Sequence, residues 1–248
     1  MISKARLKEI KALQQPKFRQ IYNKFIAEGD KVCIEFLKNQ KFKINKILIS
    51  SGSEEKYKTF VKHMTIDTDI ISSKEMEQIS ALKTASDILL LLEKKEDNIN
   101  DLVKSDASAI YLDGVQDPGN VGTIIRIADW FGVDAVIRSE ESADFFNPKV
   151  VQSSMGSMAN TLLITSDIET VSSLKKPIYG TYMKGAEIKK IIMESGAILV
   201  LGSEGKGISV IADKFIHKKV TIPGARHKIA ESLNVSVAAG IICAHWKN

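Results

Sequence analysis

Apolar residues at helical spacing dominate the start of the chain. Leu7, Ile10 and Leu13 lie on one helical stripe and predict a helix over residues 4–28 that is interrupted at Pro16. Further along, apolar residues at positions i, i+1, i+4 and i+5 predict a second helix with one buried face. This face consists of Val32, Cys33, Phe36 and Leu37.

Extended patterns follow these helices. Alternation over residues 46–50 and a continuous apolar run over residues 87–92 each predict a strand. Ser72 and Glu75 have the spacing of a capping box and predict the start of another helix. Together these elements predict a small α/β domain over residues 1–95.

The second part of the chain, residues 106–248, alternates strands with helical segments, and residues 94–106 are mostly charged or polar and predict a linker. Such alternation predicts a mostly parallel, doubly wound sheet with helices on both faces. The predicted strands lie near residues 109–112, 135–138, 161–165, 178–182, 198–201 and 219–222.

Three stretches of this second domain carry the candidate chemistry. Residues 110–126 and 198–207 each run from a strand into small and polar residues, and residues 230–240 run from a polar cluster into an apolar helix. Ligands of open α/β sheets bind beyond the carboxyl ends of strands, so three such turns predict one composite pocket. Ser232 and Asn234, which precede the last helix, are candidate site residues because a helix start presents unpaired N–H donors.

Each stretch also has a structural interpretation. The loop from Gly202 to Gly207 lacks the ending of a Walker motif and the Gly-x-Gly-x-x-Gly of a dinucleotide fold, so Glu204 there could complement a helix dipole. Asn120 is a candidate N-cap for a helix that ends near Phe131, and a lone arginine such as Arg126 is more often a solvated surface residue.

Taken together, the three stretches resemble the motifs of the SpoU (TrmH-like) branch of the SPOUT methyltransferases. The similarity rests on Asn120-Val121-Gly122 with Arg126, Gly202 with Glu204-Gly205, and Ser232-Leu233-Asn234-Val235. It implies methyl transfer from S-adenosylmethionine to a ribose 2′-hydroxyl of RNA, and a C-terminal trefoil knot around the cofactor pocket. The catalytic residues that it implies are Asn120, Arg126, Glu204, Ser232 and Asn234. The cofactor-binding residues that it implies are Gly202, Ile222 and Leu233.

The basic residues of the chain are concentrated at its start. Residues 1–46 hold 12 Lys and Arg against 4 Asp and Glu, whereas the remainder holds 23 against 26. This charge indicates either a polyanion site, with Phe18, Tyr22 and Phe25 stacking on bases, or a solvated helix face with its aromatic residues in the core. Lys17-Phe18-Arg19 and the following Glu28-Gly29-Asp30-Lys31 resemble the RNA substrate-binding domain, similar to ribosomal protein L30e, that many SpoU enzymes carry.

The helix from Val235 to Trp246 is apolar on nearly every side, which predicts that a second protein surface covers part of it. The resemblance likewise implies a homodimer through the C-terminal helix, and Ile242 is expected to be an outward residue of that contact. The alternative is a central helix that its own sheet and neighbours enclose.

The chain departs from the family pattern at three places. Gln152 stands where many relatives carry an arginine, and Asn160 lies in a segment that is more aromatic in relatives. The spacing between Ile222 and Glu231 is longer by about two residues, with Lys228 near a position often held by glycine. These departures bear on substrate choice more than on reaction type.

Composition narrows the remaining classes. With 248 residues and 44% hydrophobic content, the chain can bury a sizeable core, and it has no apolar run of membrane-spanning length. Cys33 and Cys243 are expected to be buried free thiols, no metal site is predicted, and a cytoplasmic location is expected. The resemblance to SpoU enzymes with such a front domain implies ribosomal RNA as the substrate, with transfer RNA as the alternative. The other classes considered are a non-catalytic RNA-binding protein and an ATP- or GTP-using enzyme.

Overall fold

The computed structural model describes residues 2–104, 106–227 and 229–247, so Lys228 lies outside the described residues. The chain forms two compact units, one of residues 1–95 with 144–160 and one of residues 96–143 with 161–248. The helices are α1 (Lys4–Ala12), α2 (Pro16–Tyr22), α3 (Asp30–Asn39), α4 (Glu54–Val61), α5 (Ser73–Ile79), α6 (Pro118–Phe131), α7 (Pro148–Ser153), α8 (Ile168–Ser172), α9 (Val210–Asp213) and α10 (Val235–Trp246). The strands are β1 (Lys24–Glu28), β2 (Ile44–Ser50), β3 (Thr68–Ile71), β4 (Ile88–Glu93), β5 (Ala109–Asp113), β6 (Ala135–Arg138), β7 (Leu162–Thr165), β8 (Ile178–Glu187), β9 (Ile198–Gly202) and β10 (Lys218–Thr221).

The first unit contains a four-stranded sheet in the order β1-β4-β2-β3. Strand β4 is antiparallel to both β1 and β2, and β3 is parallel to β2. The predicted capping box is confirmed, because the Ser72 hydroxyl accepts from the Glu75 amide and the Glu75 carboxylate accepts from the Ser72 amide. The apolar face predicted for α3 is also buried.

The prediction of one helical segment over residues 4–28 is wrong at its end, where residues 24–28 form β1. Asn23 adopts a left-handed conformation with φ of 49°, which ends α2 and turns the chain into the strand. Phe25 on this strand is fully buried and packs against Phe42 and Phe146, with ring centroids 5.4 and 4.9 Å away. Phe25 is therefore a core residue and does not stack on bases.

Arg19 ties the segment of residues 144–160 to the rest of the first unit. Its side chain is 1% exposed, its Nε donates to Asp144 Oδ2 at 2.9 Å, and one terminal nitrogen donates to the carbonyl oxygens of Leu13 and Gln14. A buried guanidinium needs such partners, because an unpaired buried charge is very costly. The Lys17-Phe18-Arg19 motif thus contributes a structural ion pair.

The second unit contains a six-stranded sheet in the order β10-β8-β9-β5-β6-β7. Every neighbouring pair in it is parallel. The predicted parallel α/β sheet is confirmed. Five of the six predicted strands match the observed ones to within one residue at each end, and β8 continues to Glu187, five residues beyond its predicted end. Leu102, in a 3₁₀ turn over Ile99–Leu102, is buried in the core of this unit, although its segment reads as a polar linker.

Both helices that border the candidate site begin with a side-chain cap. Asp117 caps α6 by accepting from the Asn120 amide, so the prediction that Asn120 is the N-cap is wrong. Asn234 caps α10 by accepting from the amides of Ser236 and Val237. Helices α6 and α10 pack against each other.

The surface of α10 differs from the predicted one. Ile242 is 1% exposed and belongs to the core, so the prediction that it points outward is wrong. The large apolar residues that α10 exposes are Val237, at 51%, and Ile241, at 40%. Cys33 and Cys243 are buried and free, as predicted. Within the described ranges, no helix is long and apolar enough to cross a membrane.

Candidate active site

Three polar side chains meet beyond the carboxyl ends of the central strands of the second unit. Asn120 lies in the first turn of α6 after β5, Glu204 follows β9, and Asn234 caps α10. Strands β5 and β9 are parallel neighbours, with Asp113 and Gly202 paired in register, so the loops after them emerge at the same edge of the sheet. The three motifs predicted to form one pocket are thus brought together here.

These residues form a continuous hydrogen-bond chain. The Asn120 amide nitrogen Nδ2 donates to Glu204 Oε1 at 2.6 Å, and the Asn234 amide nitrogen Nδ2 donates to Asn120 Oδ1 at 3.0 Å. Glu204 and Asn234 are exposed and Asn120 is partly exposed, so a substrate can reach the three side chains.

The cap of α10 decides which group donates and which accepts in this series of hydrogen bonds. Asn234 Oδ1 accepts from the Ser236 amide at 2.9 Å, the Ser236 hydroxyl at 2.6 Å and the Val237 amide at 3.3 Å. Since its oxygen is held by the helix start, its amide nitrogen must point away, towards Asn120. Asn120 in turn can only donate to Glu204, so one capped helix orients all three groups.

The loop that carries Glu204 is closed on itself. Ser203 and Gly207 exchange two backbone hydrogen bonds, of 3.0 and 2.9 Å, and Gly207 has a φ of 68°. A Cβ on Gly202 would lie 2.2 Å from the Gly207 carbonyl carbon, so only glycine fits there. Glycine is therefore required at position 202 because the backbone of Gly207 and Ile208 packs directly against it.

Asp113 is a supporting residue that the sequence interpretation missed. Its Oδ2 accepts from the Ser209 amide at 2.6 Å, which fixes the far end of the Glu204 loop to the end of β5. Its position as the last residue of a buried strand was the available signal. Lys219 on β10 and Tyr182 on β8 donate hydrogen bonds to Asp213 at the end of α9, and these bonds hold the pKa of the Asp213 carboxyl below its ordinary value.

Arg126 and Ser232 stand outside the hydrogen-bond chain. Both are exposed, and neither side chain makes a hydrogen bond or ion pair with any residue in the described part of the chain. Arg126 follows Asn120 by six positions on α6, so it lies about 9 Å further along the axis and on another side of the helix. Its guanidinium is available to a ligand.

The candidate cofactor residues border the same sheet edge. Gly202 ends β9, Ile222 follows β10 directly, and Leu233 precedes the cap of α10. Ile222 is partly exposed and Leu233 is 48% exposed, so both leave apolar surface uncovered beside backbone groups. Apolar side chains with nearby backbone donors and acceptors are what an adenosine group needs, and these residues fit S-adenosylmethionine. No cluster of three or more metal-ligating side chains occurs among the described residues.

Comparison with known proteins places both parts of the chain. Residues 107–244 match the SpoU rRNA methylase family, and residues 4–89 match the MRM3-like substrate-binding domain. The chain is 29% identical to the 23S rRNA (guanosine(2553)-2′-O)-methyltransferase RlmP of Bacillus subtilis, over 98% of this chain and 96% of that protein. It is 33% identical to the 23S rRNA (guanosine-2′-O-)-methyltransferase RlmB of Coxiella burnetii, over 79% of this chain and 74% of that protein.

Two solved structures have a similar fold over nearly the whole length of this chain. A TrmH-family RNA methyltransferase structure from Porphyromonas gingivalis is 30% identical with a TM-score of 0.86, covering 100% of this chain and 98% of that one. The S-adenosylmethionine-bound rRNA methyltransferase from Sinorhizobium meliloti is 25% identical with a TM-score of 0.87, covering 99% and 95%.

The fold and the site thus define an RNA methyltransferase that uses S-adenosylmethionine. The polar chain at the sheet edge contains residues from all three motifs that carried the resemblance. The chain belongs to the SpoU rRNA methylase family.

Proposed function

We propose that the protein methylates the ribose 2′-hydroxyl of a guanosine in 23S ribosomal RNA. The observation that carries this proposal is the hydrogen-bond chain from Glu204 through Asn120 to Asn234 beside the candidate cofactor residues. Ribosomal RNA and guanosine are the substrates named for both relatives described above, and neither of them is named for transfer RNA.

The catalytic roles follow from the chemistry of the displacement. S-adenosylmethionine supplies an electrophilic methyl group, and the enzyme must align the ribose hydroxyl with it and stabilise charge that develops on the oxygen. Arg126 provides that stabilisation with its available guanidinium and pairs with a neighbouring phosphate. Because a guanidinium remains protonated at neutral pH, Arg126 acts as a charge and not as a base.

The polar chain positions the reactants. Asn120 and Asn234 are oriented by the α10 cap, so their remaining hydrogen-bonding capacity is fixed in direction before the substrate binds. Glu204 anchors one end of the chain, and the Ser232 hydroxyl is available to the ribose or to the cofactor. Gly202, Ile222 and Leu233 hold the cofactor through backbone groups and apolar contact.

The first domain, residues 1–95, supplies the RNA-binding surface in this proposal. Lys4, Lys8 and Lys11 recur at i, i+4 and i+7 on α1, and all three are exposed. None of them pairs with an acid among the described residues, in contrast to Arg6, which binds Glu9 at 2.7 Å. Unpaired lysines in a row suit a phosphate backbone.

We also propose that the protein is a homodimer. Support comes from apolar side chains exposed on the packed pair of helices α6 and α10, because such surfaces mark interaction sites when they are contiguous. They are Trp130, at 80%, Val237 and Ile241.

Two further properties complete the proposal. The first is the C-terminal trefoil knot that the resemblance to SpoU enzymes implies for a chain whose residues 107–244 match that family; an experimental chain trace tests it. We place the protein in the cytoplasm, where ribosomal RNA and S-adenosylmethionine occur together, and cell fractionation tests this location.

The experiment that tests the reaction uses methyl-labelled S-adenosylmethionine with purified ribosomal RNA and, separately, transfer RNA. We expect label in ribosomal RNA alone. Label in transfer RNA alone overturns the assignment of ribosomal RNA as the substrate. Binding without transfer to any RNA favours a non-catalytic RNA-binding protein. Thermal stabilisation by ATP or GTP but not by S-adenosylmethionine overturns the reaction itself.

A further inference from the structure

The first unit contains a cavity of about 230 Å³ that the methyl-transfer site does not use. It lies between the end of β1, the residues that follow α5, and the first turn of α7. Its volume is below the roughly 300–1,000 Å³ of pockets for drug-sized ligands, so it suits a single ring system. The lining residues are Ile26, Glu28, Ala81, Leu82, Pro148, Lys149 and Gln152.

Glu28 supplies a buried acceptor to this cavity. The side chain is only 4% exposed, and its two oxygens accept from the Ser80 hydroxyl at 2.6 Å and the Ala81 amide at 2.7 Å. An ionised carboxylate has about four acceptor positions, so these two bonds leave capacity for a ligand. Burial raises the pKa of the Glu28 carboxyl, although both hydrogen bonds oppose that shift.

Gln152 supplies an amide that the protein does not use. Its side chain lies over Gly29, with Nε2 and Oε1 3.8 and 3.9 Å from the position of a Cβ there. The side chain is partly buried, and its amide makes no hydrogen bond to any residue that the structure describes. Because this amide is partly exposed and carries two N–H donors and an acceptor oxygen, it is available to the edge of a ligand.

The rest of the lining is mostly apolar. Ile26, Leu82 and Pro148 form apolar walls around the carboxylate and the amide, and Lys149 is exposed at the side of α7. A free phosphate does not suit a cavity that contains a buried carboxylate, because like charges repel. A flat ring with apolar faces and hydrogen-bonding edges matches all of these groups.

We propose that this cavity takes one unstacked nucleobase of the RNA substrate, whose edge is bound by Glu28 and Gln152. The proposal rests on the proposed function for its ligand. Guanine gives the fullest match, since its N1–H and N2–H donors face a carboxylate and its O6 acceptor faces the Gln152 amide. Single-stranded bases splayed from loops are the usual targets of sequence-specific RNA binding. Gln152 thereby becomes a specificity-determining residue of this site.

The direct test is ligand-observed NMR on the full-length protein saturated with S-adenosylhomocysteine, which blocks the cofactor site. Guanosine 5′-monophosphate is the probe and ribose 5-phosphate is the matched probe without a base. We expect the nucleotide to bind at least about tenfold more tightly, the scale of one hydrogen-bonded base edge. Equal binding of the two probes, or no binding of the nucleotide, overturns the proposal.

Variants assign the binding to the cavity. Leu82→Trp fills it from a partly exposed position, and Gln152→Ala removes the amide, whereas Gln78→Ala removes an exposed glutamine of α5 as a control. We expect the first two to weaken nucleotide binding by about tenfold or more and the control to bind as the unmodified protein does. Melting curves confirm that each variant is folded. Unchanged binding in both folded cavity variants overturns the proposal.

Methyl transfer to ribosomal RNA separates this proposal from the proposed function. Leu82→Trp should raise KM for the RNA by about tenfold with little change in kcat, since the cavity binds and does not react. If the unmodified protein transfers methyl groups and both cavity variants keep its KM, only the nucleobase site is wrong. If no preparation transfers methyl groups, the proposed function is wrong, and the NMR result still decides whether a base binds.

Discussion

Asn120 and Glu204, which are 84 positions apart in the sequence, are joined by a 2.6 Å hydrogen bond at the edge of the parallel sheet. Asn120 donates through its amide nitrogen because its oxygen already accepts from Asn234. The bond links the motif after β5 to the motif after β9, and the Asn234 cap links both to the start of α10.

The first prediction concerns the direction of the polar chain. Asn120→Asp replaces the donor by a second carboxylate beside Glu204, and like charges at this distance repel. We expect methyl transfer to fall by about a hundredfold, the scale for a displaced positioning group. Steady-state transfer of labelled methyl groups measures it. Asn100→Asp, on an exposed asparagine of the same unit, is the control and should retain activity.

The second prediction concerns the charge at Arg126. Arg126→Ala should leave S-adenosylmethionine affinity nearly intact and lower methyl transfer by about a hundredfold or more, as for the loss of one preorganised charge stabiliser. Calorimetry measures the affinity and single-turnover kinetics the transfer step. Arg126→Lys keeps the positive charge without the guanidinium, so its methyl-transfer rate should lie between those of the unmodified enzyme and Arg126→Ala. An Arg126→Ala enzyme with full activity is incompatible with the proposed mechanism.

The third prediction concerns the homodimer. Ile241→Glu puts a carboxylate on the exposed face of α10, and a carboxylate buried in an interface without a partner is costly. We expect sedimentation at micromolar concentration to show dimers for the unmodified protein and monomers with little activity for this variant. Val103→Glu changes a residue that is 66% exposed elsewhere in the unit and should stay dimeric. A monomeric unmodified protein contradicts the proposal.

The fourth prediction concerns the lysines of α1. RNA affinity should fall steeply with salt. Replacing Lys4, Lys8 and Lys11 together by Gln should make the negative slope of log K against log salt shallower by about 2 to 3. Filter binding at several salt concentrations measures the slope. The matched control replaces three exposed lysines without ion pairs among the described residues: Lys62, Lys74 and Lys189. Equal slopes for the two triple variants would show that α1 is not part of the RNA-binding surface.

Deleting residues 1–95 is a poor test of the same surface. In the first unit, Phe146 packs against Phe25 and Phe42 and is fully buried, and Asp144 is paired with Arg19. A truncated chain would keep Phe146 and Asp144 without these partners. We therefore expect such a truncation to aggregate, and light scattering at micromolar concentration measures it. Point variants of the complete chain avoid that ambiguity.

The sequence allowed much of the second unit to be predicted. Apolar runs predicted the six strands. The expected parallel pairing of these strands predicted that the polar loops after them meet at one edge of the sheet. The helix start at Asn234 could be recognised because a polar cluster precedes an apolar run, and capping is a local property. The capping box at Ser72 was predictable for the same reason.

Long-range pairing was not predictable from local pattern. Residues 24–28 form a strand because β4 pairs with them, although their composition also suits a helix. Nothing local to Asp144 indicates that Arg19 is its partner 125 positions away. Ile242 and Ile241 are neighbours with the same side chain, and only the packing of α10 decides that the first is buried and the second exposed.

The measurement that tests the central claim most directly is the position of the transferred methyl group. Ribosomal RNA labelled by the protein is digested with alkali, which cleaves beside every free 2′-hydroxyl and spares a linkage whose ribose is methylated. We predict one labelled, alkali-resistant dinucleotide that contains guanosine from 23S RNA. Label that appears only in mononucleotides, and thus on a base, would contradict the assignment of the Asn120, Glu204 and Asn234 site to ribose 2′-O-methylation.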